Sequence, residues 1–317
     1  MPATLSPSFA PDLALTRDAI ASSALNHGLL AVGDRWTSLL LRGAFTGVRR
    51  FEDWQSRLGI PRLTLSDRLR KLVALGLLRQ RPYQERPRRN AYHLTRRGLG
   101  LYGHVLMIWA WERRWGSRRD HLPTRLVHRR CGQAFEPVLS CEACGSKTGL
   151  ADLRLGLEVN ATLLAAAQEA PRSGRMPADP DGELQLGQRL DRWTLLIVSA
   201  VILGCHHFDQ LRAVLGIASS VLSRRLASMV DSRLLQSHID LRDARRMVYR
   251  LTPASRDLFA YMACFSTWAS QDLLRQPSSI RPVHKDCGRP FAAVATCSAC
   301  GERLQPWDVS YDPAPNP

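Results

Sequence analysis

Acidic residues are scarce here. The 317 residues hold 28 Asp and Glu against 44 Lys and Arg, a formal charge of +16. Such an excess of cations attracts polyanions, so nucleic acid or an anionic surface is the expected partner class. Long apolar runs are also missing. The longest, "LLIVSAVILG" at 195–204, is about half the length a bilayer crossing needs. The opening "MPATLSPSFAPDLAL" lacks the basic start and apolar core of a secretion signal. A cytoplasmic location without a membrane partner is the expectation. Several enzyme signatures are absent too: no P-loop, no G-x-S-x-G, and no deaminase His-x-Glu with Pro-Cys-x2-Cys. The chain does not read as an enzyme.

What the sequence does have, it has twice. "GDRWTSLLL" at 33–41 returns as "LDRWTLLIV" at 190–198, an offset of 157 positions from Trp36 to Trp193. At the same offset Phe51 meets Phe208, "LGI" at 58–60 meets "LGI" at 215–217, and "LSDRL" at 65–69 meets "LSRRL" at 222–226. Repetition of this order is a tandem duplication. Between the copies, "APRSGRMPADPDGE" at 170–183 breaks every periodicity and reads as linker, preceded by the helical pattern "VNATLLAAAQEA".

In the first copy, "DRWTSLLLRGAF" has the i, i+3, i+4 spacing of a buried helix. A short amphipathic helix, "RRFEDWQSRLG", stops at Gly59, and a further helix restarts at "IPRLTLSDRLRKLVALGLL" with Pro61 in its first turn. Leu65, Leu69 and Leu72 face inward; Arg62, Thr64, Arg68 and Lys71 project away from that stripe. Two short strands around "ERPRR" follow as a basic hairpin with Arg86, Arg88 and Arg89. Helix, glycine turn, basic helix and basic hairpin make a winged helix-turn-helix. The second copy offers Ser219, Ser220, Arg224 and Arg225 on its reading helix and Arg242, Arg245 and Arg246 on its wing. Double-stranded DNA is the favoured partner, read at base edges by the helices and held at phosphates by the arginines.

The eight cysteines carry the remaining chemistry. "VHRRCGQAFEPVLSCEACG" from Val127 is echoed by "VHKDCGRPFAAVATCSACG" from Val283. Each supplies one His and three Cys, the donor set of tetrahedral zinc: His128, Cys131, Cys141 and Cys144, then His284, Cys287, Cys297 and Cys300. A structural zinc in each segment, two per chain, is the expectation; a thiol or metal-sensing switch, or thiols without metal, are the alternatives. Cys205 and Cys264 stand alone on apolar stretches and read as small core residues.

The motifs "GDRWTSLLLRGAF", "RRFEDWQSRLGI", "LSDRLRKLVALGLL" and "YHLTRRG", with "DRWTLLIV", "HHFDQLRAVLGI", "LSRRLASMV" and "YRLTPAS" in the second copy, resemble the HxlR-type winged-helix transcription regulators of bacteria, relatives of the MarR group. The resemblance implies sequence-specific DNA binding, usually as a dimer, in the bacterial cytoplasm on the nucleoid. It also implies, for some members, a sensing cysteine ahead of the first helix, where this chain has Ser22 and Ser23. The expected fold is mainly α with small β-hairpins (α+β). Winged-helix domains span 20–120 and 188–276, zinc-ribbon-like modules 121–156 and 277–317, and a linker 157–187. The two units are expected to pair as an intramolecular pseudo-dimer, or the chain to form a homodimer. Trp109, Trp111 and Trp115 then serve as core or interface, with a pocket for a small-molecule effector as the lesser reading. A winged-helix and zinc-ribbon adaptor for protein or RNA is the rival function, beside a thiol- or metal-responsive sensor.

Overall fold

The computed structural model describes residues 11–86, 89–116, 122–169 and 191–311. Two helices come first, α1 (Leu13–Ala21) and α2 (Ala24–Val32). Ser23 caps α2 by accepting from the Asn26 amide, and Ser22 meets Ser279 at 2.7 Å. Both serines are buried, so the places where related proteins are expected to carry a sensing thiol serve here as hydrogen-bonded joints.

Unit one follows as α3 (Arg35–Phe45), α4 (Phe51–Leu58), α5 (Arg62–Ala74), the hairpin β1 (Leu78–Gln84) and β2 (Arg89–Leu94), a short α6 (Arg96–Leu99) and α7 (Tyr102–Trp115). Its core is Leu40, Trp54, Ile60, Leu65, Leu69, Leu72, Leu77 and Leu78, all 2% exposed or less. Strands β3 (Leu126–His128), β4 (Gln133–Phe135), β5 (Pro137–Cys141) and β6 (Leu153–Leu157) carry the first cysteine segment, and α8 (Ala161–Glu169) closes it. Of the linker expected over 157–187, the first residues therefore end β6 and form α8; residues 170–187 lie outside the described residues.

Unit two repeats the order with α9 (Arg192–Ile202), α10 (Phe208–Leu215), α11 (Ser219–Asp231), the hairpin β7 (Leu235–Ile239) and β8 (Met247–Leu251), and α12 (Pro253–Trp268), which runs on into a wider π-helical turn, Ala269–Leu274. Strands β9 (Ile280–His284), β10 (Ala293–Cys297) and β11 (Val309–Tyr311) complete the chain. The turn between the helix-turn-helix pair is made alike in both units. Gly59 has φ +59° and Gly216 φ +61°, and open space surrounds the place of a Cβ at each. Glycine is needed there for backbone freedom, not for room.

The two units pack about a pseudo-two-fold axis. Helix α7 lies along α12, and the contacts are reciprocal: Trp111 Nε1 donates to the Ala254 carbonyl at 2.7 Å, and Trp268 Nε1 donates to the Arg97 carbonyl at 2.9 Å. Trp268 and Ala254 stand 157 positions after Trp111 and Arg97. The strands obey the same symmetry. Strand β5 pairs antiparallel with its own copy β10, centred on Leu139 opposite Ala295. Strand β3 pairs with β11 as β9 pairs with β6, so that Val309 faces His128 and Leu153 faces His284. Each patch thus meets its own counterpart, the isologous pattern of a two-fold axis. The N-terminal helices reinforce it, since α1 packs on α10 and α2 on α12.

No single helix among the described residues is long and apolar enough to cross a membrane; the bent pair that passes by composition is α10 with α11, the helix-turn-helix of unit two.

Candidate nucleic-acid interface and metal centres

The reading helix of each unit buries one stripe and exposes the other. In α5, Leu65, Leu69 and Leu72 are buried, and Arg62, Leu63, Asp67 and Arg70 are exposed. In α11, Leu222, Leu226 and Met229 are buried, and Ser219, Ser220, Ser223, Arg224, Ala227 and Ser228 are exposed. The expected residues Arg62, Ser219, Ser220 and Arg224 thus lie on the outer face, with Arg62 held over the Phe51 ring at 5.2 Å. Thr64 is half-buried.

Arg68 and Arg225 are placed differently from the expectation of free base readers. Arg68 Nε lies 3.2 Å from Asp34 Oδ1, and Arg225 Nη1 lies 2.5 Å from Asp191 Oδ2. Asp34 and Asp191 are the N-caps of α3 and α9, accepting from the Thr37 and Thr194 amides. A carboxylate at a helix start already compensates the exposed N–H groups and the positive end of the helix dipole. Each arginine therefore ties its reading helix to the first helix of the unit. Lys71 is half-buried beside the same Asp34, and burial lowers its ammonium pKa. The outer positions Leu63, Asp67, Arg70, Ser223 and Ala227 are exposed as well and were not among the expected residues, because basic and hydroxyl side chains were chosen by type and not by their place on the wheel. The signal that finds them is the exact complement of the leucine stripe on a 3.6-residue wheel.

On the wing of unit one, Arg86 is exposed at the turn, Arg89 lies 3.8 Å from Glu52, and Arg88 is outside the described residues. Exposed Arg79 and Arg81 add charge along β1, and Arg50 sits 4.7 Å over the Tyr83 ring. On the wing of unit two, Arg242 and Arg245 are exposed and Arg246 is half-buried.

The aromatic residues of α7 are structural. Trp111 is buried between the units, Trp109 Nε1 donates to the Pro123 carbonyl, and Trp115 Nε1 donates to Asp257. An open cleft of about 680 Å³ lies beside them, lined by Trp111, Arg114, Trp115, Arg233 and Thr252 among others. Cys205 and Cys264 are buried, and burial raises their thiols to about 11 and about 12. Both are core residues.

The cysteine segments depart from the expectation of two self-contained modules. The donors gather as His128, Cys131, Cys297 and Cys300 in one cluster and Cys141, Cys144, His284 and Cys287 in the other. Each cluster takes a His-x2-Cys knuckle from one segment and a Cys-x2-Cys knuckle from the other. Within each, the four ligand atoms lie within 4.8 Å of one another. His128 Nδ1 is 3.4 Å from Cys131 Sγ and 3.3 Å from Cys300 Sγ; His284 Nδ1 is 3.4 Å from Cys144 Sγ and 3.3 Å from Cys287 Sγ. These are near the edge lengths of a tetrahedron built on Zn–S and Zn–N bonds of about 2.3 and 2.0 Å. Every knuckle is closed by an amide of the following glycine, Gly132, Gly145, Gly288 or Gly301, donating to the carbonyl of the knuckle's first ligand. Hydrogen bonds from Ser146 lower the Cys144 thiol to about 6, nearer the thiolate that a metal needs.

The physical reason for the exchange lies in the strands. The Cys-x2-Cys knuckle that begins at Cys141 closes β5, and its copy closes β10. Because β5 runs antiparallel to β10, each strand carries its knuckle away from the His knuckle of its own segment. Ion pairs across the exchange, Arg130 with Glu302 at 3.3 Å and Arg303 with Glu142 at 2.9 Å, join the same two segments.

A family model for HxlR-like helix-turn-helix proteins matches residues 31–120 and 190–277. An uncharacterized HTH-type transcriptional regulator of Mycobacterium tuberculosis is 43% identical over 124 residues, covering 39% of this chain and 78% of that protein. One from Methanothermobacter thermautotrophicus is 31% identical over 93 residues, covering 28% and 70%. Among solved structures, a Pseudomonas aeruginosa candidate transcription factor is 26% identical, covering 52% of this chain and 99% of that one, with a TM-score of 0.29.

Proposed function

Since the chain belongs to the HxlR-like helix-turn-helix family in both of its units, and so to the DNA-binding transcription regulators, we propose that it reads DNA as an intramolecular pseudo-dimer with two unlike heads. The observation that carries this is the reciprocal packing of α7 on α12 through Trp111 and Trp268. The resemblance implies pairing of two units, and this packing would supply that pairing within one chain. The outer faces then differ position by position. Arg62, Leu63, Asp67 and Arg70 in α5 stand where α11 has Ser219, Ser220, Arg224 and Ala227. Unlike side chains recognise unlike base edges, so the preferred site has two different halves. Arginines of the wings add affinity by releasing counterions from phosphates, without sequence preference.

The two His/Cys3 clusters are read as structural zinc sites, two per chain. Four protein donors fill a tetrahedral shell and leave no position for a reacting water. When bound, zinc would act as a cross-link, because each ion would take two ligands from each half of the chain. It would hold the spacing of the two reading helices and stabilise segments too small to have a large core of their own.

Selection of bound DNA from a random pool, followed by footprinting and a mass measurement of the complex, tests the reading. One chain on one asymmetric site is the expected result. A perfect palindrome occupied by two chains would overturn the pseudo-dimer. Binding indifferent to sequence at every salt concentration would instead favour an adaptor for RNA or protein.

A further inference from the structure

The wing of unit two ends in apolar side chains for which its own fold has no use. Ile239 and Met247 are cross-strand partners at the last rung of the β7–β8 hairpin, and they are 57% and 38% exposed. Leu241, one step further into the turn, is fully exposed at 102%. The equivalent positions of unit one hold Pro82, Gln84 and Asn90. At these three positions the aliphatic side chains belong to unit two, while the described part of the unit-one wing exposes Tyr83, with Arg50 over its ring.

The tip is also well fixed. Asp240 Oδ1 accepts from the Arg242 amide at 2.9 Å, and Asp243 Oδ1 accepts from the Arg245 amide at 3.1 Å. The Asp240 amide donates to the Arg246 carbonyl at 2.8 Å, closing the loop. Asp240 Oδ2 lies 3.4 Å from His207 Nε2, which ties the loop to the start of α10. These contacts hold Leu241 outward at no gain in packing to the protein itself. Arg242 and Arg245, both exposed, flank it.

An apolar point in a loop with exposed Arg242 and Arg245, whose Asp240 and Asp243 carboxylates each accept from the loop's own amides, has a specific complement in the DNA minor groove. Phosphates on its two rims take the cations, and its floor accepts an apolar wedge between base steps, which unstacks them and bends the duplex. We propose that the wing of unit two inserts Leu241, backed by Ile239 and Met247, into the minor groove and kinks the DNA on that side of the site. The wing of unit one, which has Gln84 in the place of Leu241, contacts the backbone without a kink. The proposal rests on the DNA-reader function proposed above and adds to it a one-sided bend.

The test uses the full chain on its selected site, with bend angle read by energy transfer between dyes at the DNA ends. Fluorescence of 2-aminopurine placed along the site reports unstacking. Wild type should bend the site by roughly 20–90° and brighten the probe on the side of unit two. Leu241→Ser alters a fully exposed side chain, so its circular dichroism and melting should match wild type. It should lose most of the bend and the probe signal and bind about tenfold more weakly, the scale of one buried leucine. Its salt dependence should be unchanged, because the arginines remain. Equal bend and equal probe signal in the two proteins, with both bound, would overturn the wedge and leave the DNA reader standing. So would a loss in Leu241→Ser of self-association, or of binding to anionic vesicles, with the bend intact. Failure of the wild type to select any DNA would overturn the reader itself, and the wedge with it.

Discussion

His104 and Tyr261 are the same position of the duplicated unit, and they touch each other, with ring centroids 5.2 Å apart. Contact between counterparts marks the pseudo-two-fold axis, which also passes between Leu139 and Ala295. Phe265 closes over the His104 ring at 5.4 Å. Burial in this aromatic seam lowers the imidazole to about 4, despite the hydrogen bond from Nδ1 to the Leu101 carbonyl.

That depression sets a pH dependence for the union of the units. The unfolded imidazole takes up its proton near pH 6.5 and the folded one only near 4, so the unfolded state binds more protons between these values. The contribution is fully present above about pH 6.5 and declines as pH falls toward 4, by about 3 kcal/mol in all. Urea melts of wild type and His104→Phe across pH 4–7.5 check it, the variant showing the shallower slope. The comparison separates this effect from any acid release of the proposed zinc, which both proteins would share.

The exchange of metal ligands gives a count that distinguishes it from two self-contained ribbons. Cys131→Ser with Cys300→Ser damages one cluster, and elemental analysis should find about one zinc per chain. Cys131→Ser with Cys144→Ser damages both clusters and should leave little or none, although both changes lie in one segment. Self-contained modules would give the reverse order of counts.

Replacing Arg68 or Arg225 with Ala should cost about 0.5–1 kcal/mol of stability and leave base preference unchanged, since each is paired with an N-cap carboxylate. Replacing Asp67 with Arg and Arg70 with Ala gives α5 two outer residues of α11. Selected sites should then shift toward two like halves, checked by repeating the selection.

Arg233 has φ +58° at the turn where unit one has Gly76 at φ +69°. A left-handed arginine carries a strain of about 1 kcal/mol that glycine does not, partly offset by the freedom glycine adds to the unfolded chain. Arg233→Gly should raise the melting temperature slightly, and Gly76→Ala should lower it.

The duplicated motifs settled much in advance. The "DRWT" starts of α3 and α9, the glycine turns, the leucine stripes, the hairpins and the identity of the eight His and Cys residues that cluster follow from local spacing, because capping, φ restriction and helical period act over a few residues. The reading face was only half legible. Arg68 and Arg225 show the same basic pattern as outer residues, and only the approach of Asp34 and Asp191 from another helix turns them inward. Ligand partnership was not legible at all. Each His-x2-Cys knuckle can be completed by a Cys-x2-Cys knuckle of its own segment or of the other, and the two solutions have the same residues and spacing. The α7–α12 seam, with β5 laid antiparallel on its own copy, selects the crossed one. The sequence by itself determined what each half contains. The tertiary structure decided how the halves complete each other, because that choice rests on contacts between residues more than a hundred positions apart.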